Sequence, residues 1–272
     1  MGQYEIFSPK AQQARVGFLD ETRGLCIILM VVYHGIFSMI YFGADIALPS
    51  GAPLFYSLFY SRLFRFGQPF VAGIFIFISG IACRYSRSNL KRGALALALG
   101  LVITVFTVYI MPLFLSDALG IYFGILHFLG TGMILFALLR PLLDQTPPLI
   151  GLLVCLALFA LTYGAKQGFV GIPGLWVFYA PPAWFYNRWL LPIGFAVGGA
   201  DHFPLLPWLF LFLSGSFLGV AFIERDMPRF FYRNRSRFLA AAGKRTIYIY
   251  LLHQPAIFGI LYASSIIGAL FA

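Results

Sequence analysis

Residues 15–34, RVGFLDETRGLCIILMVVYH, pass directly from a charged stretch into an apolar one, and they decide the fold class. On a helix that turns about 100° per residue, Asp20, Arg23 and His34 lie on one stripe, which Ile27 and Met30 complete. Arg23 and His34 are eleven residues apart, about 16 Å of helical rise. The pattern predicts a histidine deep in a membrane span, where ionisable side chains are costly and by default functional.

A purely structural explanation of the same residues stays open. Asp20 and Arg23 would form an ion pair at the start of a helix, at the membrane interface. His34 would be a neutral imidazole hydrogen-bonded to a neighbouring helix. The other histidines of the chain favour the functional explanation, because they repeat this placement.

The composition is that of a polytopic membrane protein. Of 272 residues, 61% are hydrophobic and only 10% are charged. We predict an all-α transmembrane helix bundle that forms a single domain over residues 1–272. Apolar runs long enough to cross roughly 30 Å of hydrocarbon predict about seven spans, near residues 24–43, 68–84, 93–111, 121–140, 149–165, 205–223 and 246–269.

The distribution of basic residues explains the net charge of +10 without a nucleic-acid partner. If the amino end is cytosolic, fifteen Lys and Arg residues lie on the cytosolic side, and only Arg62, Arg65, Lys166 and Arg188 lie outside. This bias predicts a multi-pass protein of the cytoplasmic membrane with its carboxyl end outside. The polar amino end and the missing cleavage pattern predict that the first span is retained.

The cysteines give no sign of a disulfide framework or a metal site. Cys26, Cys83 and Cys155 are odd in number, and each lies within or at the edge of a different predicted span. We therefore predict neither a disulfide nor a bound metal.

Two long segments, both outside on this topology, are rich in aromatic residues. The first, 44–67, includes FYSLFYSRLFRF and predicts a helix lying in the outer interface. The second, 166–204, carries Trp184, Tyr186 and Trp189. Such aromatics either anchor the protein at the membrane boundary or stack on a saccharide substrate.

The segment 224–245 contains a dense group of Lys and Arg residues on the predicted cytosolic side. Attraction to anionic membrane lipid is one explanation. The other is a grip on the phosphates of a nucleotide-bearing donor, because guanidinium groups match phosphate geometry.

The four histidines differ in predicted depth and mark a path across the bilayer. His253 is close to the cytosolic end of the last span and His34 near the middle of the first, whereas His127 and His202 are towards the outside. Imidazole suits proton exchange near neutral pH and serves as a base or a nucleophile. Pro255 follows His253 and interrupts the helix, as is typical of a span that lines a cavity.

Five stretches together resemble the heparan-alpha-glucosaminide N-acetyltransferase catalytic-domain family. They are RVGFLDETRGLCIILMVVYH, FIFISGIACRYSR, GILHFLGTGMIL, ADHFPLLPWLFLFLSGSFLG and RTIYIYLLHQPAIF, in the family's order. The first stretch is also similar to the acyltransferase-3 family, but Gly24, Met30 and the PLLPW motif favour the glucosaminide type. The resemblance covers nearly the whole chain.

This resemblance implies a transmembrane acyltransferase-like fold, acetyl-CoA or another acyl-CoA as cytosolic donor, and a sugar or lipid-linked acceptor reached from the opposite side. The chain departs from the family in one respect. Residues 35–67 contain no histidine, whereas family enzymes have a functional one in this outer loop. The departure argues against a covalent acetyl-histidine intermediate.

On this basis we predict direct or proton-relayed acyl transfer. His34 is expected to be the general base, Asp20 and Arg23 to organise the cytosolic mouth and the donor, and His253 to line the donor tunnel. The remaining donor contacts are expected from Arg237, Lys244 and Arg245. Acceptor contacts are expected from His127, Asp201, His202 and Trp208.

Two other classes of protein stay open. A secondary transporter or flippase would also have buried histidines and a helix broken by proline, and a non-catalytic envelope-assembly protein would share the fold. Asp201 has a structural alternative as the cap of the sixth span. The sequence does not identify the acyl group, the acceptor or the oligomeric state.

Overall fold

The computed structural model describes residues 16–41, 52–113, 120–196, 198–199, 201–224 and 227–270. Within these residues, seven helices are long and apolar enough to cross a membrane: Gly17–Tyr41, Arg62–Arg84, Asn89–Leu113, Ile125–Leu143, Pro148–Gln167, Leu205–Glu224 and Thr246–Ile267. The predicted all-α polytopic bundle of about seven spans is therefore confirmed.

We number the α-helices along the chain. They are α1 (Gly17–Tyr41), α2 (Ala52–Phe59), α3 (Arg62–Arg84), α4 (Asn89–Val105), α5 (Ile125–Leu143), α6 (Pro148–Thr162), α7 (Leu205–Glu224), α8 (Arg237–Lys244) and α9 (Thr246–Leu270). A π-helical turn, Phe106–Ile110, and a 3-10 turn, Met111–Leu113, extend α4.

The residues group into two compact units. The terminal unit contains the described residues of 16–75 and 227–270, and the central unit contains those of 76–224. Helix α3 contributes its first part to the terminal unit and its last part to the central unit. The single domain expected from the sequence remains a prediction.

In the terminal unit, two glycines allow α1 and α8 to approach closely. A Cβ atom added at Gly24 would lie 1.9 Å from the carbonyl oxygen of Leu239, and one added at Gly243 would lie 1.9 Å from that of Asp20. Helix α8 begins at Ser236, whose hydroxyl accepts a hydrogen bond from the backbone N–H of Leu239. Helix α9 also packs against α1 and brings the last histidine into this unit.

In the central unit, α4 packs on α5 and α6 packs on α7. Small residues make these contacts close: a Cβ atom at Gly93 would lie 2.8 Å from the carbonyl oxygen of Gly130. Phe128, Phe136 and Phe212 are fully buried. The aromatic rings of Phe128 and Phe212 meet edge to face, with centroids 6.2 Å apart.

The two aromatic segments form more regular structure than the sequence indicated. Residues 169–179 fold into an antiparallel hairpin of β1 (Phe169–Ile172) and β2 (Trp176–Tyr179). Its turn includes Gly174, at φ +90°, a conformation that glycine adopts without strain. In the first segment, α2 is the predicted short helix and the second span begins earlier than expected, at Arg62. Residues 42–51 lie outside the described residues, so an interfacial position for this helix stays a prediction.

Candidate active site

Two histidines from different helices meet in the terminal unit. His34 lies on α1 and His253 on α9, and their ring centroids are 5.0 Å apart. Only 8% of His253 is exposed. The structure therefore brings together two of the residues that the sequence assigned to catalysis.

His253 keeps one ring nitrogen unused. Its Nδ1–H donates a hydrogen bond to the backbone carbonyl oxygen of Tyr250, one turn earlier on α9. A carbonyl oxygen only accepts, so the ring proton lies on Nδ1. The other nitrogen, Nε2, is buried and has no hydrogen-bond partner. Since buried polar atoms are almost always paired, this lone pair needs an explanation.

His34 is held by a polar chain that the sequence analysis did not identify. The side-chain amide of Gln254 donates to His34 Nδ1 at 3.2 Å, and the Ser38 hydroxyl donates to Gln254 Oε1 at 3.3 Å. Because Nδ1 accepts a hydrogen bond, the proton of the neutral His34 ring lies on Nε2. Ser38 is fully buried.

Aromatic rings surround His34. Tyr33 lies edge-on to it at 5.4 Å between centroids, and Phe37 follows at 6.4 Å. Phe59 of α2 and Phe64 of α3 pack on Tyr33 at 5.8 Å and 6.2 Å. These apolar rings lower the local dielectric constant, which strengthens hydrogen bonds to a charge that develops near the histidines.

Asp20 and Arg23 form the ion pair that the structural explanation anticipated, with Arg23 Nη1 3.3 Å from Asp20 Oδ1. Their side chains are 13% and 20% exposed, in the first turns of α1. The helical rise places them about 16 Å from His34 along α1. The structure therefore does not bring this pair to the histidines, and its role towards a donor stays a prediction.

Glu21 is a second residue missed from the sequence. Its buried carboxylate accepts hydrogen bonds from the backbone N–H groups of Arg235 and Ser236, the latter at 2.7 Å. This contact fixes the basic segment directly before α8. Its position beside Asp20 in the first turn of a helix was the sequence signal available.

Two neighbouring cavities are lined by the basic residues of the terminal unit. The larger, about 490 Å³, is lined by Arg229, Phe230, Arg233, Asn234 and Arg235. The smaller, about 240 Å³, shares Asn234 and is lined further by Arg237, Ala240, Ala241, Lys244 and Arg245. No acidic side chain lines either cavity. The predicted donor contacts Arg237, Lys244 and Arg245 therefore share one basic cavity.

His127, in the central unit, has both ring nitrogens occupied. Nδ1 accepts from the backbone N–H of Gly124 at 3.2 Å, and Nε2 lies 3.1 Å from the Thr104 hydroxyl oxygen. Because that hydroxyl donates to the Ile121 carbonyl, Nε2–H is the donor to Thr104. These bonds explain the burial of His127 by packing. Its predicted contact with an acceptor remains a prediction.

The other predicted acceptor residues also make internal contacts. Asp201 Oδ2 accepts from the backbone N–H of Ile125 at 3.1 Å, so it stands at the start of α5, the fourth span, and not at the start of the sixth as its structural alternative proposed. The Trp208 ring packs on Phe159 and Phe203 at 5.9 Å and 5.6 Å between centroids.

His202 donates from Nε2 to the carbonyl oxygen of Leu191 at 3.0 Å, and its buried Nδ1 has no partner. Burial lowers the pKa of His202, which the positive charge of Lys166 lowers further and the Leu191 hydrogen bond partly restores. The roles of Asp201, His202 and Trp208 towards an acceptor stay predictions.

None of the described residues forms a group of three or more His, Cys, Asp or Glu side chains suited to a metal ion. The three cysteines are buried and free. Their independent placement was predicted from the sequence.

A comparison with protein families gives a match over residues 15–255 to the heparan-alpha-glucosaminide N-acetyltransferase catalytic domain. No curated protein matches the chain, and no solved structure does. The matched range includes His34, Gln254 and the basic segment before α9. The resemblance drawn from the sequence motifs is confirmed. Because the match covers most of the chain, the protein belongs to the heparan-alpha-glucosaminide N-acetyltransferase catalytic-domain family, a family of membrane acetyltransferases.

Proposed function

We propose that this protein is an integral membrane acetyltransferase that moves an acetyl group from cytosolic acetyl-CoA to a saccharide or lipid-linked acceptor on the extracytoplasmic side. Family membership supports acetyl transfer in general. The donor, the acceptor and the side of the membrane are our proposals.

The observation that carries this proposal is the pair His34 and His253. Acyl transfer from a thioester needs a group that takes the proton of the attacking hydroxyl or amine, and neutral imidazole is suited to that role near neutral pH. His253 has a buried, unpartnered Nε2 within one ring's reach of His34. A structural histidine would be expected to use both nitrogens, as His127 does.

The two basic cavities supply the proposed donor site. Coenzyme A carries a pyrophosphate and a 3′-phosphate, and a set of guanidinium groups without carboxylates suits such anions. Arg237, Lys244 and Arg245 line the smaller cavity, and three further arginines line the larger. Arg235 also lies over the Phe230 ring, 5.5 Å from its centroid, which offers a surface for an adenine base. Arg23 is proposed to contact the donor from α1.

The acceptor is proposed to be a saccharide or a lipid-linked saccharide, in keeping with the family. Membrane lipid is the surrounding solvent of the apolar helices. The proposed orientation, with a cytosolic amino end, rests on the charge asymmetry of the loops. Reporter fusions at both ends of the chain test it: an active cytosolic reporter at the carboxyl end would contradict it.

The donor is tested on the purified full-length protein by thermal unfolding with acetyl-CoA. We expect a concentration-dependent rise in Tm, because a ligand that binds only the folded state stabilises it. The rise should shrink as salt screens the phosphates. The triple variant R237Q/K244Q/R245Q should lose most of the shift.

The matched control is a triple variant of equal charge change in the central unit, R87Q/K91Q/R92Q, which should keep the full shift. The transfer reaction is then followed with acetyl-labelled acetyl-CoA and a membrane glycolipid extract. A folded wild-type protein that gives neither a Tm shift at millimolar acetyl-CoA nor label in the extract would contradict the proposal and favour a transport function.

A further inference from the structure

We infer that His253 and His34 have different roles: His253 Nε2 takes the proton of the acceptor, and His34 Nε2–H donates a hydrogen bond to the acyl oxygen, in an orientation set by Gln254 and Ser38. The inference rests on the proposed function. It reverses the assignment of His34 as general base that the sequence favoured.

The first step of the argument is the location of the ring protons. All four histidines of the chain lie in the described residues. The hydrogen bonds place the proton of His34, His127 and His202 on Nε2, and that of His253 on Nδ1. His253 is thus the one histidine with its proton on Nδ1, and its Nε2 lone pair is buried without a partner.

The second step concerns what Gln254 does to His34. The amide of Gln254 donates to Nδ1, so this lone pair is already used. Ser38 donates to the oxygen of the same amide and thereby fixes which way the amide faces. His34 can then offer only Nε2–H to a substrate, as a donor. We call Gln254 and Ser38 positioning residues, since they act through His34.

The reaction follows from these two assignments. The acceptor oxygen or nitrogen attacks the thioester carbonyl carbon while its proton passes to His253 Nε2. Its new bond to carbon forms as the carbonyl π electrons move to the acyl oxygen, which His34 Nε2–H stabilises. When that intermediate collapses, the C–S bond breaks and the thiolate of coenzyme A receives the proton from His253. The Tyr250 carbonyl, already bound to Nδ1–H, stabilises the transient imidazolium of His253.

Substitutions by Gln and Asn separate a donor from a base. Gln places its amide nitrogen near the position of Nε2, whereas Asn places it near Nδ1, and neither accepts a proton at neutral pH. We expect H34Q to keep activity within about tenfold, whereas H34N should lose about 10²- to 10³-fold, the size of a lost oxyanion donor. H253Q should lose about 10²- to 10⁴-fold, as expected for a lost general base.

The opposite pattern, with H34Q inactive and H253Q active, would overturn the inference. Equal activity of all three variants would overturn it as well. Absence of activity in the wild-type protein would instead contradict the proposed function, and the ring protons would still be testable by spectroscopy.

The spectroscopic test uses full-length protein labelled with ¹⁵N-histidine in lipid bilayers, where four rings give few signals. We expect one Nδ1–H ring, which disappears in H253Q, and three Nε2–H rings, one of which disappears in H34Q. In Q254L, the His34 ring should lose its fixed proton position and kcat should fall about tenfold, with KM for acetyl-CoA unchanged. An Nε2–H proton on His253 in the wild-type spectrum would overturn the inference.

A control on the same helix is S264A, because the Ser264 hydroxyl bonds only to a carbonyl of its own helix among the recorded contacts. It should leave the spectrum and kcat as in the wild type. A merely structural role for Gln254 would lower Tm in Q254L without moving the His34 signals, and this result would also contradict the inference.

Discussion

His127 in the central unit and His253 in the terminal unit are similarly buried, at 3% and 8% exposure, yet they differ in the hydrogen bonds they leave unmade. His127 uses both ring nitrogens, on Gly124 and Thr104. His253 uses Nδ1 and leaves Nε2 without a partner, beside the ring of His34. Burial in a membrane helix therefore does not distinguish a packed histidine from a reactive one, whereas the unused lone pair does.

The largest expected effect separates these two histidines by what their loss changes. H253Q should reduce acetyl transfer about 10²- to 10⁴-fold with little change in Tm, because a base is lost and no internal hydrogen bond depends on Nε2. H127Q should act mainly on Tm, because two internal contacts are lost. Activity and Tm are measured on the same samples. A large fall in Tm for H253Q, with activity per folded molecule retained, would contradict the comparison.

The second prediction concerns the close packing on which the terminal site depends. G24A should destabilise the protein by at least about 1–3 kcal/mol, because the new methyl would lie 1.9 Å from a backbone oxygen of α8. G35A, on the same helix, is the control: nothing lies within 4 Å of its added Cβ. It should be neutral or slightly stabilising, since Ala favours helix over Gly. Denaturation in matched detergent measures both, and equal stabilities would show that α1 and α8 do not approach as described.

The sequence predicted the spans well because hydropathy and length alone decide which helices cross a membrane. It also singled out His34 and His253, since ionisable residues are conspicuous in apolar runs. It did not predict Gln254 or Ser38 as partners of His34. Residues 34 and 254 are 220 positions apart, and their hydrogen bond exists only once α1 and α9 are packed. Ring-proton positions follow from such partners, so the roles of the histidines were beyond the sequence.

Asp20 and Glu21 show the same limit. Their place in the first turn of a helix was apparent, and the Asp20–Arg23 pair follows from helical spacing. The hydrogen bonds of Glu21 to the segment before α8 depend on tertiary packing. The hairpin at residues 169–179 was also missed, because its strands are only four residues long each.

A third prediction sharpens the structural half of the comparison. T104V removes the hydroxyl that accepts from His127 and donates to the Ile121 carbonyl. It should lower the free energy of unfolding by about 1–3 kcal/mol, because buried polar groups lose their partners. T162V is the control, since the Thr162 hydroxyl donates to a carbonyl of its own helix, that of Leu158. If both variants unfold alike, the His127 contacts do not stabilise the central unit.

The smallest effect concerns His202, whose Nδ1 is unpartnered like Nε2 of His253. Burial lowers the pKa of His202, so the unfolded chain binds a proton at a higher pH than the folded protein does. Its contribution to stability is therefore full above about pH 6.5, the ordinary value, and is lost as pH falls towards the folded pKa. Tm of the wild type should decline from pH 7 to pH 5 more steeply than that of H202F. Equal slopes would contradict the lowered pKa.

The most direct test of the central claim, that His34 and His253 act in one step, is a kinetic double-mutant cycle. Acetyl transfer is measured for wild type, H34N, H253Q and the double variant at matched protein levels. Residues that act as a unit are strongly non-additive, so we predict that the double variant is about as slow as the slower single variant. A double variant slowed by the product of the two single effects would show that the histidines act independently, and would contradict the account.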